Sequence, residues 1–254
     1  MPLRHDTGDE TERIKRIYER MAMGYDRQLD RVENFMFGDG RAWVCNQARG
    51  DVLEIAIGTG RNLAFYPADV HLTGIDLSPA MLGLARRRAA ALVRPVDLHL
   101  GDAQTLPFND ASFDTGVSTL ALCTIPDPGR TVAEARRVLR SGGRFLMLDH
   151  VRSPSRAVRF AQRLLDPILV RFEGDHLLRE PVEYLEAAGF HVEHLERSRW
   201  GIVERLTARG PTACEPRIAC ARPFTRFARM SPRQRSVRRR WSYLTRSRAM
   251  PCRC

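Results

Sequence analysis

Residues 51–62 read DVLEIAIGTGRN, an apolar run that leads into a Gly-Thr-Gly turn. Such a run predicts a buried strand followed by a turn. Helices and further strands alternate after it, which predicts an α/β fold with a doubly wound, mostly parallel sheet. The predicted strands are 51–57, 70–75, 96–100, 113–119 and 144–148, with helices at 78–92 and 130–139 and a short one before Pro67.

The chain on either side of this core has its own pattern. Apolar residues recur at helical spacing over 9–25, which predicts an amphipathic helix. A looser stretch to Gly40 and a short helix over 41–48 are expected next. Beyond the last parallel strand, we predict a helix over 181–188 and a closing antiparallel pair of strands at 190–196 and 202–208.

The composition excludes several classes of protein. The chain has 254 residues, 43% of them hydrophobic, which is enough for a sizeable core and too many for wholly disordered chain. No apolar run approaches the roughly 18–20 residues of a membrane-spanning helix, and the first residues lack the form of a secretory signal. Only Cys45 and Cys123 precede residue 211, so we expect no disulfide framework and predict a cytoplasmic protein.

The net charge of +11 is confined to the end of the chain. Residues 211–254 contain 12 arginines, no lysine and one acidic residue, Glu215, whereas residues 1–210 are balanced. We interpret 1–210 as the folded domain and 211–254 as an arginine-rich, disordered tail, because its charge density is too high for it to fold alone. The alternative is a basic arm for nucleic acid or an anionic membrane, although no specific nucleic acid is expected as a partner.

Three groups of residues follow three of the predicted strands. Because ligands of an open α/β sheet bind beyond the carboxyl ends of its strands, these groups are expected to share one site. After the first strand, Gly58 and Gly60 let the backbone approach a ligand closely. After the second, Asp76 can accept both hydroxyls of a ribose. After the third, Asp102 can lie near an adenine amino group.

Four stretches of the chain resemble a known family. VLEIAIGTGRN, GIDLSPAML, GDAQTLPF and RVLRSGGRFLMLDH are similar to the motifs of the class I S-adenosylmethionine-dependent methyltransferases. The branch that this chain most resembles contains the quinone-biosynthesis C-methyltransferases and related small-molecule enzymes, over residues 14–209. The resemblance implies a Rossmann-like fold, S-adenosylmethionine as the cofactor, and a small, largely apolar methyl acceptor such as a quinol, thiol, amine or lipid.

The resemblance also implies roles for individual residues. Glu54 would fix the glycine loop or contact the methionine end of the cofactor. Gly58 and Gly60 would line the methionyl and ribose part, and Asp76 would hold the ribose hydroxyls. The other implied cofactor contacts are Leu77 under the adenine, Asp102 and Ala103 at the adenine edge, and Thr119 and Leu120 near the reactive methyl.

The chain departs from the family pattern at three places. Ala56 stands where the family usually has glycine, and because a small residue is kept we expect cofactor binding there to survive. Arg27-Gln28 replaces the usual Met-Asn pair, and Asp149-His150-Val151 follows the fifth strand in place of an acid-aromatic-serine ending. These departures leave the identity of the acceptor open.

Methyl transfer from a sulfonium is an in-line displacement in which positioning and desolvation do most of the work. An acceptor that must lose a proton also needs a base, and the candidates are His150, beyond the fifth strand, and His176, next to Asp175. Tyr25 could orient either ligand. Structural roles stay open for both histidines. No metal site is expected, because the cysteines lack the paired short spacing of zinc ligands.

Residues 157–172, AVRFAQRLLDPILVRF, form an apolar stretch that arginines interrupt. We predict a core-facing helix that is kinked at Pro167. The alternative is a substrate lid, or a surface in peripheral contact with a lipid membrane.

Three other functions compete with methyl transfer to a small molecule. A dinucleotide-dependent oxidoreductase also uses a glycine turn and an acid after the second strand, but residues 58–63 lack the third glycine of its motif. An RNA methyltransferase would use the arginine-rich tail for phosphate, but a body without net charge argues against it. A binding protein without catalysis stays open, because this chemistry requires no invariant nucleophile.

Overall fold

The structure is a computed structural model and describes residues 7–212. Its strands are β1 Asp51–Ile55, β2 His71–Asp76, β3 Asp97–Leu100, β4 Phe113–Thr119, β5 Leu139–His150, β6 His191–Ser198 and β7 Val203–Arg209. Its helices are α1 Thr7–Met36, α2 Gly40–Cys45, α3 Pro79–Ala91, α4 Pro128–Val138, α5 Arg156–Glu173 and α6 Pro181–Ala187. The strands form one sheet of order β3-β2-β1-β4-β5-β7-β6.

The pairing of the strands confirms the predicted fold. β1 to β5 are parallel to one another, and β7 runs antiparallel between β5 and β6. The carboxyl ends of β1, β2, β3 and β4 therefore meet along one edge of the sheet, where ligands of such folds bind.

Two helices begin at this edge by the same device. Ser78 caps α3 by accepting a hydrogen bond from the backbone N–H of Met81 at 3.3 Å, and Pro79 takes the first helical position. Asp127 caps α4 in the same way, accepting from the N–H of Arg130 at 2.9 Å. A side-chain cap followed by proline stabilises a helix start, because it satisfies a free backbone donor and presets the backbone angle.

The core lies in two layers, one on each face of the sheet. Phe145 and Met147 of β5 pack on the side covered by α4 and α6, and Leu146 and Leu148 pack on the side covered by α2 and α3. Successive side chains of this buried central strand therefore pack into opposite core layers, as expected of a doubly wound sheet.

The amino-terminal helix is longer than predicted. The loose stretch expected up to Gly40 is wrong, because α1 continues without a break to Met36. Tertiary ion pairs support this second half: Asp26 binds Arg88 at 2.5 Å, and Glu33 binds Arg61 at 2.7 Å. Apolar periodicity could not reveal this part of the helix, because charged side chains hold it.

Two further boundaries differ from the prediction. The short helix expected before Pro67 is a single turn of 3-10 helix, Leu63–Phe65. The fifth strand, predicted at 144–148, begins at Leu139, directly after α4 ends at Val138, and therefore includes Gly142 and Gly143. The two glycines lie inside β5, where its pairing with β4 shifts register.

The prediction that residues 157–172 form a core-facing helix is wrong. They lie in α5, a continuous helix through Pro167 in which Gln162 is the single buried residue. Five of its large apolar side chains are exposed. No helix in the described part of the chain has the length and apolar character needed to cross a bilayer.

Candidate active site

A cavity opens at the carboxyl edge of β1 to β4, and α1 covers it. It encloses about 860 Å³ of space, including open solvent at its mouth. The loops after β1, β2 and β3 form what we call the floor, α1 forms the roof, and residues 119–126 form the far wall.

Asp76 ends β2 in the floor, where two backbone amides hold its carboxylate. Oδ2 accepts from the N–H of Gly58 at 2.8 Å, and Oδ1 accepts from that of Ser78 at 2.9 Å. The residue is 9% exposed, and burial raises the pKa of its carboxyl. Each oxygen keeps further acceptor capacity, so the group can take hydrogen bonds from a pair of neighbouring hydroxyls.

The two glycines of the loop after β1 have different functions. Gly58 lines the cavity with φ of +58°, and a Cβ added there would meet nothing closer than the Ala56 carbonyl at 4.0 Å. Gly60 lies behind the lining, and a Cβ there would come within 3.2 Å of the Cα of Ala85 in α3. Gly58 therefore leaves room for a ligand, whereas Gly60 lets the loop pack against α3.

Two residues that line the cavity have strained backbones. Ala56, after β1, has φ of 54°, and Leu120, after the adjacent β4, has φ of 53°. This left-handed conformation is unfavourable for residues with a side chain. Strain of this kind persists where the surrounding structure holds it in place, often at functional sites.

The loop after β3 is fastened to the roof. Asp102 and Ala103 line the cavity as predicted, and Leu77 lines it from the loop after β2. Asp102 accepts from the backbone and side-chain nitrogens of Gln104, at 2.8 and 3.0 Å. The same side-chain amide donates to Thr11 of α1 at 2.9 Å, which joins the floor to the roof.

Glu54 lies outside the cavity lining. Its side chain is buried and accepts from the Asn62 amide at 2.7 Å and from the Tyr66 hydroxyl at 2.9 Å. Burial raises the pKa of this carboxyl to about 7, although these hydrogen bonds act in the opposite direction. The resemblance implied that Glu54 either fixes the glycine loop or contacts the methionine end of the cofactor. These contacts are consistent with the first role.

Arg41 is a cavity residue that the sequence analysis missed. Its guanidinium donates to Asn62 Oδ1 and to Thr119 Oγ1, both at 2.9 Å, and it pairs with Glu33 of α1. Thr119 lines the cavity, as predicted. A largely buried arginine on this wall is suited to attract a ligand carboxylate.

The roof residues were also missed, except Tyr25. Ile14 and Tyr18 line the cavity together with Tyr25, and the two tyrosine rings meet edge to face with centroids 6.0 Å apart. Burial raises the pKa of the Tyr25 hydroxyl, so it stays protonated and can donate a hydrogen bond. The helical spacing of these residues predicted one shared face, but it could not show that this face covers a ligand site. Thr11 and Lys15 complete the roof.

Neither candidate base lines the cavity. His150 Nε2 lies 2.8 Å from Asp175 Oδ1. Burial opposes the charge of this imidazole, but the carboxylates of Asp175 and Asp149 outweigh it and raise the pKa of His150 to about 9. His176 is half-buried, and its backbone N–H donates to the Cys123 carbonyl at 3.0 Å. A role as base stays a prediction for both histidines.

The loop that carries Asp175 braces the far wall. Arg179 in this loop donates to the Ile125 carbonyl at 2.6 Å and also to the Leu122 carbonyl. Ligand atoms of Cys123, His150 and Asp175 lie within 4.8 Å of one another, close enough for a metal ion. Because His150 and Asp175 already contact each other directly, we interpret the cluster as an ion pair that anchors the wall.

Comparison with known proteins identifies methyltransferases as relatives of this chain. A family model described as a methyltransferase domain matches residues 53–147. The phosphatidylethanolamine N-methyltransferase of Cereibacter sphaeroides is 36% identical over 170 residues, which are 65% of this chain and 79% of that protein. The human thiol S-methyltransferase TMT1A is 30% identical, over 67% of this chain and 72% of that protein. The quinone C-methyltransferase UbiE of Roseobacter denitrificans is 30% identical, over 62% and 66%.

Solved structures share the fold. An S-adenosylmethionine-dependent methyltransferase of Thermotoga maritima, described as a possible histamine N-methyltransferase, aligns with a TM-score of 0.61. It is 23% identical, over 76% of this chain and 98% of that one. The cyclase SpnF aligns with a TM-score of 0.57 at 22% identity, over 68% and 79%. The same fold therefore occurs in enzymes that catalyse different reactions. These two structural matches support the architecture of this chain and not its activity.

The chain belongs to the class I S-adenosylmethionine-dependent methyltransferases, and it is an enzyme of that kind. Its cofactor is S-adenosylmethionine. The cavity fits this group, because it offers a buried carboxylate for a diol at Asp76 and a cation for a carboxylate at Arg41. When bound, the cofactor supplies a methyl group on a positively charged sulfur.

Proposed function

We propose that the protein methylates an amine carried on an apolar body, which enters the cavity under α1. The observation that carries this proposal is the pairing of an apolar far wall and roof with the lack of a histidine among the described lining residues. Ile14, Tyr18, Leu120 and Ile125 provide the apolar surface. Relatives that act on phosphatidylethanolamine, thiols and quinones agree with a small-molecule acceptor in general.

The protonation of the acceptor favours an amine. An apolar environment disfavours charge, so it lowers the pKa of an amine and raises that of a thiol or quinol hydroxyl. The amine thereby becomes the nucleophilic free base without help, whereas a thiol or a quinol would need a base. The described lining residues include no histidine, and Tyr25 stays protonated.

The floor residues would hold the cofactor in one orientation. In this proposal, Asp76 accepts the ribose hydroxyls, and Asp102 lies at the adenine edge beside Ala103. Arg41 holds the methionine carboxylate. Thr119 and Leu120, where the far wall begins, would lie near the reactive methyl. Positioning of this kind supplies most of the rate enhancement in a displacement that needs no covalent intermediate.

In this proposal, the roof also excludes water from the cavity. α1 covers the floor with Ile14 and Tyr18, and it is fastened there through Asp26, whose carboxylate accepts from Thr59 at 2.7 Å. A dry cavity strengthens the electrostatic contacts inside it and leaves the acceptor as the nucleophile nearest the methyl group.

The test is transfer of labelled methyl from S-adenosylmethionine to matched acceptors. Long-chain amines, including phosphatidylethanolamine, are compared with a long-chain thiol and a quinol, with identification of the product by mass spectrometry. We expect an N-methylated product. Methylation of the thiol or quinol without the amine would contradict the proposed acceptor, and cofactor binding without any transfer would favour a non-catalytic role.

A pair of variants locates the acceptor. Tyr18→Ser should raise the KM for the acceptor roughly tenfold, the effect of about 1.4 kcal/mol of lost contact, and should leave cofactor affinity within about twofold. Tyr184→Ser is the control, because Tyr184 is also half-buried but lies on α6, outside the cavity lining. Equal effects of the two variants would show that Tyr18 acts only on stability.

The folded domain is proposed to end near Gly210, with the arginine-rich tail dispensable for folding. Residues 213–254 lie outside the described residues. The N–H of Gly210 donates to Gly143 at 2.8 Å, and the Pro211 carbonyl accepts from Gly142 at 3.2 Å. A chain that ends at Thr212 keeps both bonds, and we expect its melting temperature to stay within a few degrees. Failure of that chain to fold would show that the tail belongs to the domain.

A further inference from the structure

The helix α5 turns its apolar side away from the protein. Its five large outward side chains are between 52% and 69% exposed. At 100° per residue they occupy one side of the helix. We call this surface the α5 face; it consists of Phe160, Leu164, Leu165, Ile168 and Phe172.

Polar side chains attach the opposite side of α5 to the domain. Gln162, the buried residue of the helix, accepts from the N–H of Ser153 at 2.9 Å and donates to the Val151 carbonyl at 2.9 Å. Asp166 accepts from the N–H of Leu177 at 2.7 Å. The usual arrangement of an amphipathic helix is therefore inverted, since surface helices normally bury their apolar side. Burial within this domain does not account for the apolar residues.

Arginines border the α5 face. Arg156, Arg163 and Arg171 are exposed, and none of their side chains forms an ion pair with a described residue. The two acidic residues of the helix, Asp166 and Glu173, are seven positions apart and share the side of Gln162, away from the α5 face, although Glu173 is exposed. The α5 face is thus apolar at its centre and positive at its border, and neither acid of the helix lies on it.

We propose that the α5 face docks in the interfacial region of an anionic lipid membrane. An exposed helix with an apolar side and bordering arginines matches interfacial helices, which bury their apolar side among the acyl chains and place their cations at lipid phosphates. Charge argues against a second copy of this chain as the occupant. Two such faces packed together would bring their arginines close to one another, with no acid on either helix face to neutralise them.

The contact would lie next to the roof of the cavity. Arg13 of α1 donates to the Val170 carbonyl of α5 at 3.0 Å. Gly174, which ends α5 with φ of +72°, packs so closely on Ile14 that a Cβ would fall 2.1 Å from its Cδ1. Ile14 is a cavity residue. Docking would therefore hold the roof beside the membrane, although vesicle binding itself requires neither cofactor nor acceptor.

The test is sedimentation of the full chain with vesicles of phosphatidylcholine, with and without phosphatidylglycerol. Adsorption through the arginine-rich tail is common to every variant, so each variant is compared with the unchanged protein at the same moderate salt concentration. Leu164→Gln/Ile168→Gln should weaken binding to the phosphatidylglycerol vesicles about tenfold, because two exposed side chains lose apolar burial in the lipid. Arg156→Gln/Arg163→Gln should lower the preference for phosphatidylglycerol over phosphatidylcholine alone several-fold.

The matched control is Leu92→Gln/Val93→Asn. These two residues are also apolar and exposed, at 44% and 87%, but they follow α3 at the opposite edge of the sheet. We expect this variant to bind vesicles as the unchanged protein does. Equal vesicle binding by the Leu164/Ile168 variant and the unchanged protein would overturn the proposal. So would a change from dimer to monomer in that variant with unaltered vesicle binding, because it would assign the face to contact between copies.

Discussion

The floor and the roof of the cavity are built in different ways. The floor comes from successive strand ends, and backbone amides set its key carboxylate, as Gly58 and Ser78 do for Asp76. The roof comes from a helix remote in sequence, which charged side chains fasten down, as in the pair of Asp26 with Arg88. Local geometry therefore determines the cofactor side, whereas tertiary ion pairs determine what covers it.

The floor is thus built independently of the parts that complete the cavity. We therefore predict that changes in the floor and changes in the far wall have separable effects. Variants of the floor should change cofactor affinity. Variants of the wall and its supports should change the handling of the acceptor and leave cofactor affinity alone. A variant that changed both equally would show that the two parts are one cooperative unit.

The largest effect is expected for Asp76→Ala. Loss of a buried carboxylate that accepts hydroxyl hydrogen bonds should weaken cofactor binding by about 1.5–3 kcal/mol, roughly ten- to a hundredfold. Calorimetric titration with S-adenosylmethionine measures it. Asp97→Ala is the control, because Asp97 is an exposed acid at the opposite end of the neighbouring strand β3. Unchanged affinity in the Asp76 variant would remove this residue from the binding site.

His150→Gln tests the support of the far wall. If the ion pair with Asp175 only anchors the wall, the acceptor KM should rise several-fold and cofactor affinity should not change. Because the pKa of His150 is raised to about 9, the pair contributes stability fully below pH 6.5 and loses it as the pH rises through about 9. The acceptor KM of the unchanged protein should therefore rise above that pH.

His194→Gln is the control for this variant, because His194 is exposed on β6. A loss of turnover, in place of a rise in the acceptor KM, would support the prediction that His150 is the general base. In that case turnover at saturating acceptor would fall on the order of 10²-fold, while cofactor affinity stayed unchanged.

Glu54→Gln tests the support beneath the floor. Burial raises the pKa of this carboxyl from 4.5 to about 7, so the folded state favours the protonated form. The resulting stability is fully present below pH 4.5 and is lost as the pH rises through about 7. The amide cannot ionise, so the variant should gain about 1–3 kcal/mol relative to the unchanged protein between pH 4.5 and pH 8.

Urea unfolding at both pH values measures this difference. Glu183→Gln, an exposed acid on α6, should show no such gain. Identical pH dependence of the Glu54 variant and the unchanged protein would mean that Glu54 is already ionised without cost.

Ala56→Gly should have the smallest effect. Glycine removes the strain of a left-handed backbone, worth about 1–2 kcal/mol, but loses about 0.5–1 kcal/mol through greater freedom of the unfolded chain. We expect a net gain of at most about 1 kcal/mol in urea unfolding, with cofactor affinity within twofold. Ala111→Gly is the control, since Ala111 has φ of 51° outside the cavity lining. A large loss of stability would show that the Ala56 methyl is needed for packing.

The sequence alone determined the parallel sheet and most of the floor. The alternation of apolar runs with helices predicts which strands are parallel. The topology of a parallel sheet then places the carboxyl ends of these strands on one edge. Gly58, Asp76, Leu77, Asp102 and Ala103 all follow strand ends, and all line the cavity. These features depend on backbone geometry over a few neighbouring residues, which a short sequence motif can specify.

Only the tertiary structure decided which way the side chains of several elements turn. The side chain of Glu54 is buried outside the cavity, and Gly60 packs against α3, although both residues belong to the same motif as Gly58. α1 and α5 are both amphipathic, yet the first lays apolar residues over the cavity and the second turns them outward. Periodicity specifies that a helix has an apolar side, but the partners available at its position in the fold determine where that side points.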